Sequence, residues 1–268
     1  MSSVGHLAMA DYAAERERLL ASLTRLLDED GRVVGVWLRG SLGRGEGDDV
    51  SDIDLHVAVD DRACGAIVAD VGAFLAQPGR PLLVQTVFLA PRGGFTRCVL
   101  YQGAHGPQQV DWMVWPHSVA VLHPPAHVLF IRAPIRAVQS ERYETLVDQS
   151  PGEAGPGHGL ATCWLFILIA ARYLARGWDS AVLTMLRSCV QVARRTADGT
   201  SLPSVPGEMK SGAGDAGTLL REFSAGLRRA LPGTRLAGDF ASPEAVDAID
   251  RFVEAATSAR HSGGMSAT

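Results

Sequence analysis

Residues 38–59 read LRGSLGRGEGDDVSDIDLHVAV, and the architecture of the N-terminal half follows from how this stretch folds. Val33 to Arg39 (VVGVWLR) is a short run rich in β-branched and aromatic residues, and Gly40-Ser41 breaks it. Ile53 to Val59 (IDLHVAV) alternates and predicts a second strand. Asp52 and Asp54 stand two apart, so on a strand both carboxylates leave the same face. Two such groups repel each other unless a hard cation sits between them, and carboxylate oxygens suit Mg²⁺. Ile53 and Leu55 point the other way, towards a core. Gly40-Ser41 falls where the backbone must turn tightly, so main-chain N–H groups there can approach a phosphate closely. A short helix after Ser41 would aim its positive end at the same anion. The Ser41 hydroxyl and the Arg44 guanidinium are candidate donors to a triphosphate. Ser41 can also serve as a helix N-cap. Glu46, Asp48 and Asp49 read as loop carboxylates.

The elements around this stretch give an α/β arrangement. Asp11 to Asp28 carries leucines at helical spacing and Asp30-Gly31 ends it. Arg62 to Ala76 predicts one helix, closed by Pro78-Gly79. Leu82 to Leu89, Arg97 to Tyr101 and Gln109 to Trp115 predict three further strands, making an α+β domain on a mixed sheet over residues 1–135. Prolines 116, 124, 125 and 134 predict a segment crossing the surface, and Ser150 to Gly159 a linker. Helical patterns follow at Leu160 to Arg176, Ser180 to Ala197, Ala216 to Leu231 and Pro243 to Ala259, an all-α bundle over residues 136–262. Gly199 to Gly214 reads as a loop, and residues 263–268 as a disordered tail.

Asp111 is the only acidic residue between Asp70 and Glu141, and it lies within an apolar β-like run. A lone acid there needs a partner, either a cation in a site or an arginine such as Arg97. Trp112 and Trp115 beside it read as core, with stacking on a ligand ring as the other reading. His105, His117, His123 and His127 fit no standard zinc spacing and read as surface or satisfied histidines.

Composition narrows the function classes. Hydrophobic residues make up 47% of the 268 and charged residues 20%, with a formal net charge of -4. That balance disfavours long nucleic acid as a partner. The four cysteines include no CxxC pair, which predicts reduced thiols and a cytoplasmic protein. The most apolar run, Leu160 to Ala171, is too short to span a bilayer and predicts a buried helix, with no membrane partner.

Gly-Ser followed about ten residues later by D-x-D on a strand resembles the signature of the DNA polymerase β-like nucleotidyltransferases. Within that superfamily, RGEGD followed by SDID is most similar to the antibiotic nucleotidyltransferases, the lincosamide and aminoglycoside enzymes. The resemblance covers roughly residues 38–60, with Asp111 as an extension and the helical half similar only in architecture. It implies an enzyme moving a nucleoside monophosphate from an NTP, with ATP the expected donor, to a hydroxyl of a small acceptor. Asp52, Asp54 and Asp111 would hold Mg²⁺, as two ions, and Asp111 could also act as general base. Gly40, Ser41 and Arg44 would hold the nucleotide, and the helical domain would flank an acceptor cleft, with a homodimer compatible. The same residues leave two other classes open: modification of a protein or tRNA, as in toxin or regulatory nucleotidyltransferases, and an inactive nucleotide-binding scaffold.

Overall fold

The computed structural model describes residues 9–86, 89–138, 147–149, 158–196, 205, 215–230 and 240–263. The chain is mixed α/β, with a mixed sheet and several helices. It divides into two units: Ala13–Gln102 with Gln108–Glu153, and Met1–Tyr12, Gly103–Pro107 and Ala154–Thr268.

The first unit is built on β1 (Val33–Leu38), β2 (Ile53–Val59), β3 (Pro81–Thr86), β4 (Leu89–Pro91), β5 (Phe95–Tyr101) and β6 (Gln108–Pro116). Short strands β7 (Val121–Leu122), β8 (His127–Ile131), β9 (Arg136–Ala137) and β10 (Val147–Gln149) follow. Six of these run side by side in the order β3-β5-β6-β2-β1-β8. β2 and β6 pair in parallel, and the other neighbours are antiparallel.

Alternation along the strands gives each face of this sheet a distinct job. Val36, Leu38, Ile53, Leu55, Val57, Val110, Trp112 and Val114 turn to one face. There they meet Leu23 and Leu27 of α1 (Met9–Glu29), Cys64 and Ile67 of α3 (Asp61–Ala69), and Phe74 and Leu75 of α4 (Val71–Ala76); the one-turn helix α2 spans Gly40–Gly43. Each large apolar side chain buried this way contributes roughly 1.5–3 kcal/mol. Phe74 meets the Trp112 ring edge-on, with centroids 5.6 Å apart. The opposite face holds a smaller cluster of Trp37, Ala58, Trp115, Ala120, Val121 and Val138. Trp112 and Trp115 are both fully buried, so they are core residues and not stacking platforms for a ligand.

Three predicted elements differ. The helix expected over 62–76 breaks at Asp70, whose backbone leaves the helical region (φ -127, ψ 54). Its carboxylate accepts the Ala73 N–H at 3.2 Å and so caps a new helix. The strand expected over 82–89 stops at Thr86, and β4 starts at Leu89. The proline-punctuated segment contains β8, an HVLFI run that extends the sheet beside β1. Its flanking prolines mask it in the sequence, although they are tolerated at a strand's ends and at a sheet edge.

The second unit carries α5 (His158–Ala175), α6 (Asp179–Thr196), α7 (Ala216–Ala230) and α8 (Pro243–Gly263), preceded by a two-residue strand, Phe240–Ala241. Cys163, Trp164, Ile167, Leu168, Ala171 and Leu174 bury α5 among its neighbours. Arg228 of α7 bridges Asp247 and Asp250 of α8 at 2.6 and 2.8 Å. All four cysteines are buried free thiols. Among the described residues, no helix is long and apolar enough to cross a membrane. Most of the expected linker 150–159 and of the 199–214 loop lies outside the described residues. The expected tail begins at Gly263, which closes α8, and residues 264–268 also lie outside them.

Candidate active site

The parallel pairing of β2 with β6 sets Asp54 directly opposite Asp111. Neighbouring strands stand about 4.8 Å apart, so the two carboxylates are adjacent on one face of the sheet. β5 continues the row with Cys98, which pairs with Asp111. Two residues further along the strands, His56, Met113 and Thr96 form a second row. Together with Arg39 and Gly40, and apart from Cys98, these residues line an open cavity of about 430 Å³. The cavity lies on the face away from α1, α3 and α4.

The turn after β1 closes one side of it. Gly40 has φ +58, a left-handed conformation that side-chain-bearing residues rarely adopt. A Cβ on Gly40 would fall 1.7 Å from Asp54 Oδ2, so the carboxylate lies directly against this backbone. The preceding N–H, of Arg39, donates to the Asp54 carbonyl at 3.0 Å. The turn is further pinned at Gly43, where a Cβ would come within 2.5 Å of the Leu38 carbonyl oxygen. The loop that then enters β2 is held from α1. Arg16, almost fully buried, donates to the carbonyls of Asp48 and Ser51 at 2.6 and 3.2 Å. Asp48 in turn accepts from Ser51 Oγ at 2.8 Å and from the Val50 N–H at 3.2 Å, the structural role expected of a loop carboxylate.

The site residues read from the sequence are brought together only in part. Gly40, Asp54 and Asp111 line the cavity. Asp52 is half-buried one residue ahead of β2 and is not part of the lining. Ser41 is half-buried in α2, whose single turn gives it little dipole. Arg44 caps the end of that turn, 44% exposed, with Nε bonded to Glu46 at 2.6 Å. Neither Ser41 nor Arg44 lines the cavity. The basic residue that does is Arg39. Arg97 does not face Asp111 across the β5–β6 ladder: it pairs with Trp112 on the helix-covered face.

Sequence reasoning missed Arg39, His56, Thr96 and Met113, and also Gln109, which donates from Nε2 to Asp111 Oδ1 at 2.9 Å. Period-two alternation was the available signal. With Leu38 and Leu55 committed to the core, Arg39 and His56 must face the side of Asp54. His56 is held between two tryptophan rings, and Trp115 Nε1 donates to its Nδ1 at 3.2 Å. Burial, then the nearby Arg39 and His123, push its pKa down to about 3. Of the other histidines, His117 Nε2 bonds the Pro134 carbonyl at 2.9 Å, His123 is buried and His127 is exposed. Among the described residues, no group of three or more His, Cys, Asp or Glu side chains is placed to hold a metal. The Asp54–Asp111 pair nevertheless fits Mg²⁺, which is ordinarily held by one or two carboxylates and completed by substrate phosphates and water rather than by an all-protein cage.

No protein-family model matches this chain, and no curated protein matches it.

Two outcomes follow from this geometry. Gly40→Ala lowers the free energy of unfolding by about 1–2 kcal/mol from the left-handed backbone alone, with more from the clash at Asp54. In urea denaturation its cost is therefore smaller in an Asp54→Ala background, and strictly additive effects would contradict the contact. The second outcome concerns pH. The His56 pKa in the fold lies below its unfolded value of 6.5. Its contribution is therefore fully present above pH 6.5 and is lost as pH falls from 6.5 towards 3, at roughly 1.4 kcal/mol per pH unit. His56→Gln removes that slope from the urea midpoints measured between pH 7 and 4.5, and parallel profiles for the two proteins would contradict it.

Proposed function

We propose that this protein is a nucleotidyltransferase: it moves a nucleoside monophosphate from an NTP, with ATP the expected donor, to a hydroxyl of a small molecule and releases pyrophosphate. The observation that carries this reading is the in-register pair of Asp54 and Asp111 facing an open cavity, with the Gly40 turn against Asp54. Adjacent carboxylates at the mouth of a cavity are poorly suited to a purely structural role, because each disfavours the charge on the other. They are well suited to phosphoryl-type transfer, where catalysis rests on positioning and on charge stabilisation.

In this scheme Asp54 and Asp111 would hold Mg²⁺, with Asp52 at the entrance of β2 as a third carboxylate. The ion's chemistry there is to offset charge on the phosphate oxygens. Arg39 takes the phosphate-facing role first read for Arg44, since its guanidinium belongs to a residue lining the cavity. Ser41, which follows Gly40 in the turn, would contribute a hydroxyl or N–H beside it. Asp111 accepts the proton of the incoming hydroxyl, its carboxylate oriented by the Gln109 amide. The acidic overall balance favours a small acceptor over RNA. Lincosamides and aminoglycosides are the first acceptor classes to test, on the strength of the motif alone.

The test is mass spectrometry of a panel of hydroxyl-bearing antibiotics and metabolites incubated with protein, Mg²⁺ and mixed NTPs. The expected result is a gain of one nucleoside monophosphate on an acceptor, reduced by at least about a hundredfold with Asp54→Asn or Asp111→Asn. Product formation that persists in both variants would overturn the assignment.

A further inference from the structure

The second row of the cavity has a chemistry unlike the first. Trp37, His56, Met113 and Thr96 stand in register across β1, β2, β6 and β5. From His56 to Thr96 the row spans two strand spacings, about 10 Å. His56 and Thr96 are only 7% and 6% exposed, and both line the cavity. The Trp115 indole N–H is a donor and nothing else, so His56 Nδ1 must present a lone pair to it. The ring is then neutral, with its proton on Nε2, and Trp115 is the hydrogen-bond partner this ring has among the described residues. Thr96 Oγ1 is buried without a hydrogen-bond partner among them. A buried hydroxyl is disfavoured in that condition unless water or a guest satisfies it. Trp37 Nε1 is also unpartnered among the described residues, but Trp37 does not line the cavity. Met113 lies between the two polar groups and offers an apolar, adaptable surface. The row contains neither a carboxylate for an ammonium group nor a guanidinium for a phosphate; Arg39, Asp54 and Asp111 belong to the row above.

Resting on the nucleotidyltransferase reading, we propose that this floor is a subsite for an uncharged hydroxylated ring, bonded by His56 Nε2–H and Thr96 Oγ1 with Met113 against its apolar face. Such a ring could be the ribose of the nucleotide or the sugar or cyclitol of the acceptor. In either case the guest's charged groups stay at the carboxylate row and its neutral oxygens enter the floor. Thr96 and His56 thereby act in specificity, separately from the groups that hold the phosphates.

The experiment uses the full chain labelled with ¹⁵N-histidine and follows the His56 ring nitrogens while adenosine, myo-inositol or methyl α-D-glucoside is added. None of these carries a phosphate and no turnover is read, so the result is independent of whether nucleotidyl transfer is detected. The proposal expects the His56 signals to move with adenosine, or with inositol or the glucoside. A response to adenosine assigns the floor to the nucleoside, and a response to the polyols assigns it to the acceptor. Thr96→Val, which replaces the unpartnered hydroxyl with a methyl of the same shape, should leave Tm unchanged or raise it. The same change should weaken the responding ligand roughly fivefold, the value of one hydrogen bond. Silence from every probe, or a Thr96→Val protein that binds as before, would overturn the proposal. So would a marked fall in its Tm, because the hydroxyl would then be serving the fold.

Discussion

The pairing of β2 with β6 is the constraint on which the rest of the site depends. Parallel register places Asp54 beside Asp111, and two carboxylates at strand spacing repel each other by an amount on the order of a few kcal/mol. The fold tolerates this because both strands commit their alternate residues to a deep apolar core. Ile53, Leu55, Val110 and Trp112 are all essentially excluded from water. A slip of one residue in either strand would bury a carboxylate under the helices and expose that core, so the hydrophobic pattern itself fixes the acidic pair in place. Locally the Gln109 amide donates to Asp111, and the Gly40 turn packs against Asp54.

The two faces of the sheet divide the work. Helices α1, α3 and α4 pack on one face, which stiffens the strands without occupying the site. The other face carries the cluster around Trp37 and Trp115 and, beside it, the cavity. Trp115 belongs to both: its ring is core, and its N–H sets the tautomer of a cavity-lining histidine. A similar double role falls to Arg16, whose burial on α1 ties down the loop that delivers the chain into β2. The cavity thus presents charge at its carboxylate row and neutral hydrogen-bonding groups beneath it.

Much of this was legible in the sequence, for identifiable reasons. The runs VVGVWLR and IDLHVAV are short, apolar and bounded by glycine or loop residues, so β1 and β2 could be placed closely. Asp111 stood out because an acid in an apolar strand is costly, and the structure places it beside Asp54. The remaining misses have a common origin. Thr96 and Met113 enter the site only through the register of β5, β6 and β2, a long-range property that local pattern does not carry. Arg39 and His56 were recoverable from alternation alone, but their polar neighbours in the glycine-rich turn drew the reading towards Arg44. The turn carries Arg44 outward to Glu46, and the lining position falls to Arg39, which precedes the turn. Asp52 follows the motif's spacing and stands one residue ahead of β2, outside the cavity lining. Asp70 and β8 were hidden by capping chemistry and by prolines, both of which act through geometry rather than periodicity.

The central claim is that Asp54 and Asp111 act together on a metal-bound nucleotide. It is tested most directly by calorimetric titration of the protein with a non-hydrolysable ATP analogue, with and without Mg²⁺. Mg²⁺ is expected to tighten binding to the wild-type chain by at least about tenfold, roughly 1.4 kcal/mol, and Asp54→Asn and Asp111→Asn each to remove this dependence while remaining folded. Binding of equal strength with and without Mg²⁺, or a Mg²⁺ effect that survives loss of either carboxylate, would contradict it.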